Sequence, residues 1–144
     1  VCAPGSKIFY PQHAFAWLHI RYLGKRFAHA LRAAVEYGVN PSKIVIRELC
    51  EHAHDRRIMQ EAGGEFEITL YEFFIALQWM RQMGEPMCMC GYVRINGILW
   101  VIDAHGGDEG LCLDMGPPSK WRSWGTRRYF ALPYRDSEAL ETEV

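Results

Sequence analysis

The segment 91–105 constrains the fold more than any other part of this sequence. It consists of two apolar runs, rich in β-branched and aromatic residues, that are joined by Asn96-Gly97. Asn-Gly is the strongest two-residue signal for a type I′ hairpin, because both central residues of that turn adopt a positive φ. The segment therefore predicts two antiparallel strands in which Ile95 lies opposite Ile98.

This register predicts a cluster of chemically active side chains at the open end of the hairpin. Counted back from the turn, Cys90 lies opposite Asp103 and Cys88 lies opposite His105. Residues two apart in a strand share a face, and cross-strand partners have Cβ atoms ~5 Å apart. A carboxylate beside an imidazole fixes its tautomer and stabilises the imidazolium, as a general base requires. The alternative is a solvated Asp-x-His sequence where a strand ends.

The residues before the hairpin carry helical patterns. Apolar residues spaced by threes and fours predict a long helix at positions 16, 20, 23, 27, 31 and 34. Gly24 is a point at which this helix could kink or divide, and Gly38 is expected to end it. Asn40-Pro41 predicts the start of a second helix that continues to about residue 53. Thr69 and Glu72 fit a capping box, which predicts the start of a third helix.

From residue 87 onward the pattern changes to β, with strands predicted at 87–95, 98–104, 111–114 and 127–134. Helices followed by an antiparallel sheet indicate an α+β fold. A chain of 144 residues suffices for one domain with a core. We therefore predict a single domain over 1–144, with a mainly helical part at 1–86, an antiparallel sheet at 87–135 and an acidic tail at 136–144.

Composition averaged over the whole chain argues against several classes of function. Sixteen basic and 17 acidic residues give a net charge of −1, so general affinity for nucleic acid or for an anionic membrane is not expected. Five cysteines at scattered spacings do not suggest a disulfide framework, and a reducing compartment such as the cytoplasm fits them better. No apolar run approaches the length of a transmembrane helix.

The order of elements, an early buried helix and then a strand ending in Asp-x-His, resembles that of papain-like cysteine peptidases. The segment from Trp100 to Gly106 is similar to the motif of peptidases that process ubiquitin-like modifiers and of herpesvirus tegument deubiquitinases. The segment from Gln12 to Leu18 looks like the nucleophile segment of viral papain-like leader proteases, where Cys-Trp-Leu opens the central helix. The resemblance implies a papain-like fold, with a buried central helix packed on a C-terminal antiparallel sheet.

The resemblance also implies a function and the roles of particular residues. His105 would be the base, Asp103 the residue that orients it, and Gln12 a donor to the oxyanion. The reaction would be cysteine-type hydrolysis of a peptide or isopeptide bond, in a viral or pathogen polyprotein or in a ubiquitin-like modifier. No cofactor, metal, nucleic acid or membrane is expected, and a viral source would place the protein in the host cytoplasm.

The nucleophile position departs from the family pattern. The residue before Trp17-Leu18 is Ala16, and Ala14 is the neighbouring alternative. Ala16 corresponds to an inactivating Cys-to-Ala change, to a natural pseudoenzyme, or to ordinary packing in a structural helix. In the first two cases the chain is expected to be inactive as a peptidase.

A second hypothesis makes the chain a non-enzymatic protein-interaction domain or a pseudoenzyme. Cys88, Cys90 and His105, with Asp103 or Cys112, have the ligand types that zinc prefers. The Cys-x-Cys spacing on a strand differs from the usual zinc knuckle, and buried cysteines are common in protein cores. These residues would then form either a structural zinc site or part of the core.

Overall fold

The computed structural model of the chain describes residues 1–84, 87–107, 109–119 and 123–134. In these ranges the strands are β1 (Cys2–Ala3), β2 (Ser6–Phe9), β3 (Ile20–Leu23), β4 (Glu36–Val39), β5 (Ser42–Glu48), β6 (Ala53–His54), β7 (Glu67–Ile68), β8 (Met87–Ile95), β9 (Ile98–Gly107), β10 (Gly110–Gly116), β11 (Ser123–Trp124) and β12 (Tyr129–Pro133). The helices are α1 (Pro11–Phe15), α2 (Lys25–Ala33), α3 (Asp55–Glu61) and α4 (Leu70–Gln82).

Eight of these strands form one large mixed sheet. Its order is β1-β5-β12-β8-β9-β10-β3, and β7 pairs with β8 beyond the end of β12. Three pairs are parallel, namely β12 with β8, β7 with β8 and β10 with β3, and the others are antiparallel. Two small sheets, β2-β4 and β6-β11, lie outside the main one.

The predicted hairpin is confirmed. Ile95 lies opposite Ile98, and Asn96 and Gly97 have φ values of 51° and 80°, as a type I′ turn requires. The register continues without a shift along β8 and β9 to their open ends. The side chains of the hairpin are therefore divided between the two faces of the sheet as the sequence predicted.

One face of the sheet, which we call the inner face, is covered by α1, α2 and α4. The core on this side is built from side chains of the three helices and of the central strands, including Phe15, Phe27, Phe73, Leu77, Met89, Val93, Ile102, Ala104, Leu111 and Leu113. The opposite, outer face is covered in part by α3, β6 and β11. The smaller core there includes Ala53, Ile58, Cys90, Tyr92, Val101, Trp124 and Phe130.

Helix α4 begins and packs as its sequence indicates. Thr69 and Glu72 form the predicted capping box, with the Glu72 backbone N–H donating to Thr69 Oγ1 at 3.0 Å. Phe73 is fully buried and lies against Gly91, where an added Cβ would be 2.8 Å from the ring. Glycine at this position of β8 thus lets the helix approach the sheet closely. At 13 residues α4 is the longest helix described, and no helix in the described ranges has the length and apolarity to cross a membrane.

The prediction of a papain-like α+β fold, with a helical half on a C-terminal antiparallel sheet, is wrong. Strands β1 to β7 all lie before residue 69, and β1, β3, β5 and β7 join the main sheet. The sheet is also mixed, because β12 runs parallel to β8. The structure is therefore a mixed α/β arrangement in which both parts of the sequence build one sheet. The predicted tail at 136–144 lies outside the described residues.

One predicted helix is divided by a strand and another is replaced by one, for identifiable reasons. The apolar stripe from 16 to 34 is divided, because β3 pairs with β10 and the Gly24 N–H donates to the Leu113 carbonyl at 2.8 Å. Helix α2 starts only after that bond. The segment predicted as a helix from 41 to 53 contains the β-branched run of Ile44, Val45 and Ile46, which forms β5 between β1 and β12.

Candidate functional site

The outer face of the hairpin brings together the four residues that the sequence singled out. Cys90 is paired with Asp103, and Cys88 with His105, at the open end of β8 and β9. In a hairpin with a two-residue turn the closing pair is hydrogen-bonded and the pair type alternates from there. Both pairs are therefore of the non-hydrogen-bonded type, in which facing Cα atoms lie about 4.5 Å apart and side chains are closest.

Asp103 contacts two cationic or potentially cationic groups. The Arg128 guanidinium donates a hydrogen bond to Oδ1, and His105 Nδ1 lies 3.9 Å from Oδ2. The distance to His105 is too long for a hydrogen bond. Arg128 is therefore the primary partner of the carboxylate, and the imidazole, whose side chain is 52% exposed, lies beside it. Arg128, which precedes β12, was not among the residues predicted for this site.

The two cysteines of the site differ in accessibility. Cys90 is fully buried, with its sulfur 3.7 Å from Asp103 Oδ1 and 3.5 Å from Arg128 Nη1. Burial, together with the charge of Asp103, raises the pKa of the Cys90 thiol well above its usual value. Cys90 therefore stays protonated at neutral pH and belongs to the core. Cys88 is only partly buried.

Arg128 is held in place by a chain of contacts that starts at a buried carboxylate. Asp55, at the start of α3, is fully buried and accepts hydrogen bonds from Tyr92 Oη at 2.7 Å and Trp124 Nε1 at 2.6 Å. The Arg128 guanidinium lies over the Trp124 ring, 4.7 Å from its centre. Asp55 thus positions the indole on which Arg128 stacks, and Arg128 in turn holds Asp103.

Strand β10 extends the site on the other side of β9. Cys112 is paired with His105, and Asp114 with Asp103. A cavity of about 240 Å³ lies here and is lined by Arg26 and the carboxylates of both aspartates, among other residues. Cys112 and Asp114 are two residues apart in a strand, so the sequence alone predicts that they share a face. His105 therefore lies between two strands that each carry a partly buried thiol.

The structure does not support residue 16 as the nucleophile position. Helix α1 has only five residues and packs on the inner face, whereas Asp103 and His105 project from the outer face. Ala16 is exposed at the C-terminal cap of α1, where its N–H donates to the Gln12 carbonyl at 3.2 Å. The Gln12 side chain is exposed, and Ala14 packs against the inner core.

The structural zinc site of the second hypothesis also finds no support. Within the described residues, no group of three or more His, Cys, Asp or Glu side chains is arranged to hold a metal ion. The thiol of Cys90 is instead engaged by Asp103 and Arg128. The cluster is therefore best described as thiols, an imidazole, a carboxylate and a guanidinium.

Comparisons with protein-family models, with curated proteins and with solved structures find no match to this chain. The arrangement of the residues themselves therefore carries the functional argument. A thiol facing an imidazole with a carboxylate on the same face is suited to nucleophilic catalysis.

Proposed function

We propose that the chain is a thiol-dependent hydrolase of peptide or isopeptide bonds, with Cys88 as its nucleophile. The observation that carries the proposal is the pairing of Cys88 with His105 on facing strands, with Asp103 on the same face 3.9 Å from His105 Nδ1. Nucleophile, base and orienting group form the triad that acyl transfer through a thiol requires.

Each residue has a distinct role in this chemistry. Because Nδ1 of His105 faces the carboxylate, Nε2 is the ring nitrogen left to accept the proton of the Cys88 thiol. The thiolate attacks the carbonyl carbon and forms a thioester, the amine leaves with the proton from the imidazolium, and water then hydrolyses the thioester. Asp103 stabilises the imidazolium, and Arg128 fixes the position of that carboxylate.

This proposal moves the nucleophile from position 16 to Cys88, and the chain as it stands is then expected to be active. A polyprotein and a ubiquitin-like modifier remain the proposed substrate classes. All five cysteines are free thiols, and the chemistry requires Cys88 to be reduced. We therefore propose that the protein acts in a reducing compartment such as the cytoplasm.

The test compares the cysteines of one molecule with one another. The native protein is treated with limiting iodoacetamide at neutral pH, and modification of each cysteine is followed by peptide mass spectrometry. Cys88 should react on the order of tenfold faster than Cys2 and Cys50, although both of these are more exposed. His105→Ala should remove the difference and Asp103→Asn should reduce it, whereas the control His29→Ala should leave it unchanged.

The competing hypothesis, a non-enzymatic interaction domain, makes the opposite prediction. In that case exposure alone sets the rates, so Cys2 and Cys50 react first and His105→Ala has no effect. A second measurement uses p-nitrophenyl acetate, which should leave an acyl group on Cys88. Cys88→Ser should abolish this adduct and Cys112→Ser should not. Rates ordered by exposure, together with no adduct on Cys88, would refute the hydrolase proposal.

A further inference from the structure

Charge is distributed very unevenly along the chain. All 17 acidic residues lie at or after Glu36, whereas the first 35 residues contain five lysines and arginines, three of the six histidines and no acid. The net charge of −1 for the whole chain therefore hides a cationic part, 1–35, and an acidic part, 36–144. Residues 1–35 are therefore cationic on their own, although the whole chain is nearly neutral.

The cationic segment also carries exposed aromatic rings. Trp17 is 90% exposed, and Tyr10 and Tyr22 are 49% and 56% exposed. An indole that is almost entirely in water is unusual for a folded domain, because burying it against the core is strongly favourable. Leu18, the next residue, packs against the inner core. Because Leu18 faces the core, the side chain of the preceding residue, Trp17, extends into solvent.

Trp17 and the cations of α2 are linked by a contact in the core. Phe15, at the end of α1, packs edge-on against Phe27, near the start of α2, with ring centres 5.4 Å apart. Trp17 follows Phe15 by two residues and Lys25 precedes Phe27 by two residues, so the backbone brings both residues close to this contact. Helix α2 carries an exposed ridge of Lys25, His29 and Arg32, whose spacing of four and three places them on one helical face.

Acidic residues from elsewhere in the chain lie close to Arg21 and to the start of α2. Glu109 pairs with Arg21 at 2.8 Å, and the Asp114 side chain lies close to Gly24 at the start of α2. Within the described ranges, Lys25 and Arg32 have no carboxylate partner. Their positive charges therefore remain available to an anionic ligand.

We propose that this surface, formed by Trp17 and the Lys25–Arg32 ridge, binds single-stranded nucleic acid without sequence preference. Cations that follow a phosphate backbone and open aromatic rings on which bases stack are the two elements that such binding uses. An acidic peptide would match the charge but would leave the exposed ring faces without stacking partners. The proposal is independent of the thiol chemistry at Cys88.

The test measures fluorescence anisotropy of a labelled oligo(dT) of about 16 nucleotides with the full chain. Binding should weaken as salt increases, with a slope of about −2 in log K against log salt if three cations contact phosphates. Trp17→Ala should weaken binding by about tenfold. Trp79→Ala, which removes a partly exposed indole from α4, is the matched control and should have no effect.

The charge contribution is tested separately. The double substitution Lys25→Glu and Arg32→Glu should abolish most binding and its salt dependence, whereas Arg81→Glu on α4 should not. Because Trp17, Lys25 and Arg32 are exposed, unchanged thermal unfolding should accompany these losses. Three results overturn the proposal: no binding at low salt, binding insensitive to Trp17→Ala, or poly-glutamate that competes as well as oligo(dT). The last would indicate an acidic polypeptide as the partner.

Discussion

The two faces of the β8-β9 hairpin differ in what they bury. On the inner face the positions of Met89, Gly91, Val93, Ile102 and Ala104 are all apolar or glycine and are covered by helices. On the outer face, the apolar cover is smaller and the same two strands also present cysteines, an aspartate and a histidine. Alternation along the strands thus lets one hairpin supply a core on one side and reactive groups on the other.

The difference shows how polar groups are accommodated beside a core. The outer-face carboxylate that is fully buried, Asp55, accepts hydrogen bonds from Tyr92, Trp124 and the Ser119 backbone N–H. The partly exposed carboxylate, Asp103, is paired with Arg128. Stability on the inner face therefore comes mainly from apolar burial, whereas the outer face combines a smaller apolar core with acidic groups that need hydrogen-bond or ion-pair partners.

The largest expected effect concerns the inner face. Phe73→Ala removes a fully buried ring and should lower the free energy of unfolding by about 3–5 kcal/mol. Phe66→Ala, on the partly buried ring that contacts Tyr92 on the outer face, is the matched control and should cost less. Urea denaturation of both variants measures the difference. Equal losses would show that the two faces contribute alike.

The next effect concerns the polar network of the outer face. Asp55→Ala leaves the buried donors of Tyr92 and Trp124 without this acceptor, so the free energy of unfolding should fall by about 3 kcal/mol. Glu109→Ala removes a carboxylate from an exposed ion pair with Arg21 and should cost less than about 1 kcal/mol. If Asp55→Ala were as mild as its control, the network would not stabilise this face.

A smaller loss of stability is expected where α4 approaches the sheet closely. In Gly91→Ala the new Cβ would lie 2.8 Å from the Phe73 ring, and the required shift should cost about 1–3 kcal/mol. In the control Gly125→Ala, near the outer face, the new Cβ would lie 3.7 Å from the His52 ring, so this substitution should be tolerated. Chemical denaturation distinguishes them. A neutral Gly91→Ala would mean that the inner layer adjusts easily.

The smallest effect is a change in pH dependence. Glu36 accepts backbone hydrogen bonds from Leu70 and Tyr71 at the start of α4, yet burial raises its pKa above the ordinary value of 4.5. The unfolded carboxyl group therefore loses its proton at lower pH than the folded one. The contribution of Glu36 to the free energy of unfolding is therefore present at pH values below its ordinary pKa. It is lost as the pH rises through the pKa of the folded state.

Melting temperatures of the native chain and of Glu36→Gln, measured from about pH 4 to pH 8, check this prediction. The native chain should lose stability relative to Glu36→Gln as pH rises across that range. A constant difference between the two proteins would show that the carboxyl group titrates alike in the folded and unfolded states.

Elements with strong local signals were predictable from the sequence. The Asn96-Gly97 turn determined the hairpin and its register, and that register placed Cys88 opposite His105 and Cys90 opposite Asp103. The capping box of Thr69 likewise identified the start of α4. Such signals involve neighbouring residues, so no distant part of the chain is needed to satisfy them.

Elements that depend on distant partners were not predictable. The apolar spacing of residues 20–23 fits a helix, but β3 forms because its backbone groups pair with β10, about ninety residues later in the sequence. The role of Arg128 was not predictable either, because its position depends on Trp124 and the buried Asp55.

The sequence by itself determined which side chains share a face of the hairpin, because side-chain alternation follows from backbone geometry. Tertiary structure decided what covers each face, since only the folded chain brings α1 and α4 to the inner face and leaves Asp103 and His105 on the outer one. It also decided the partner of Asp103. A carboxylate binds the cation that packing places within reach, and here that cation is Arg128 rather than the nearer-in-sequence His105.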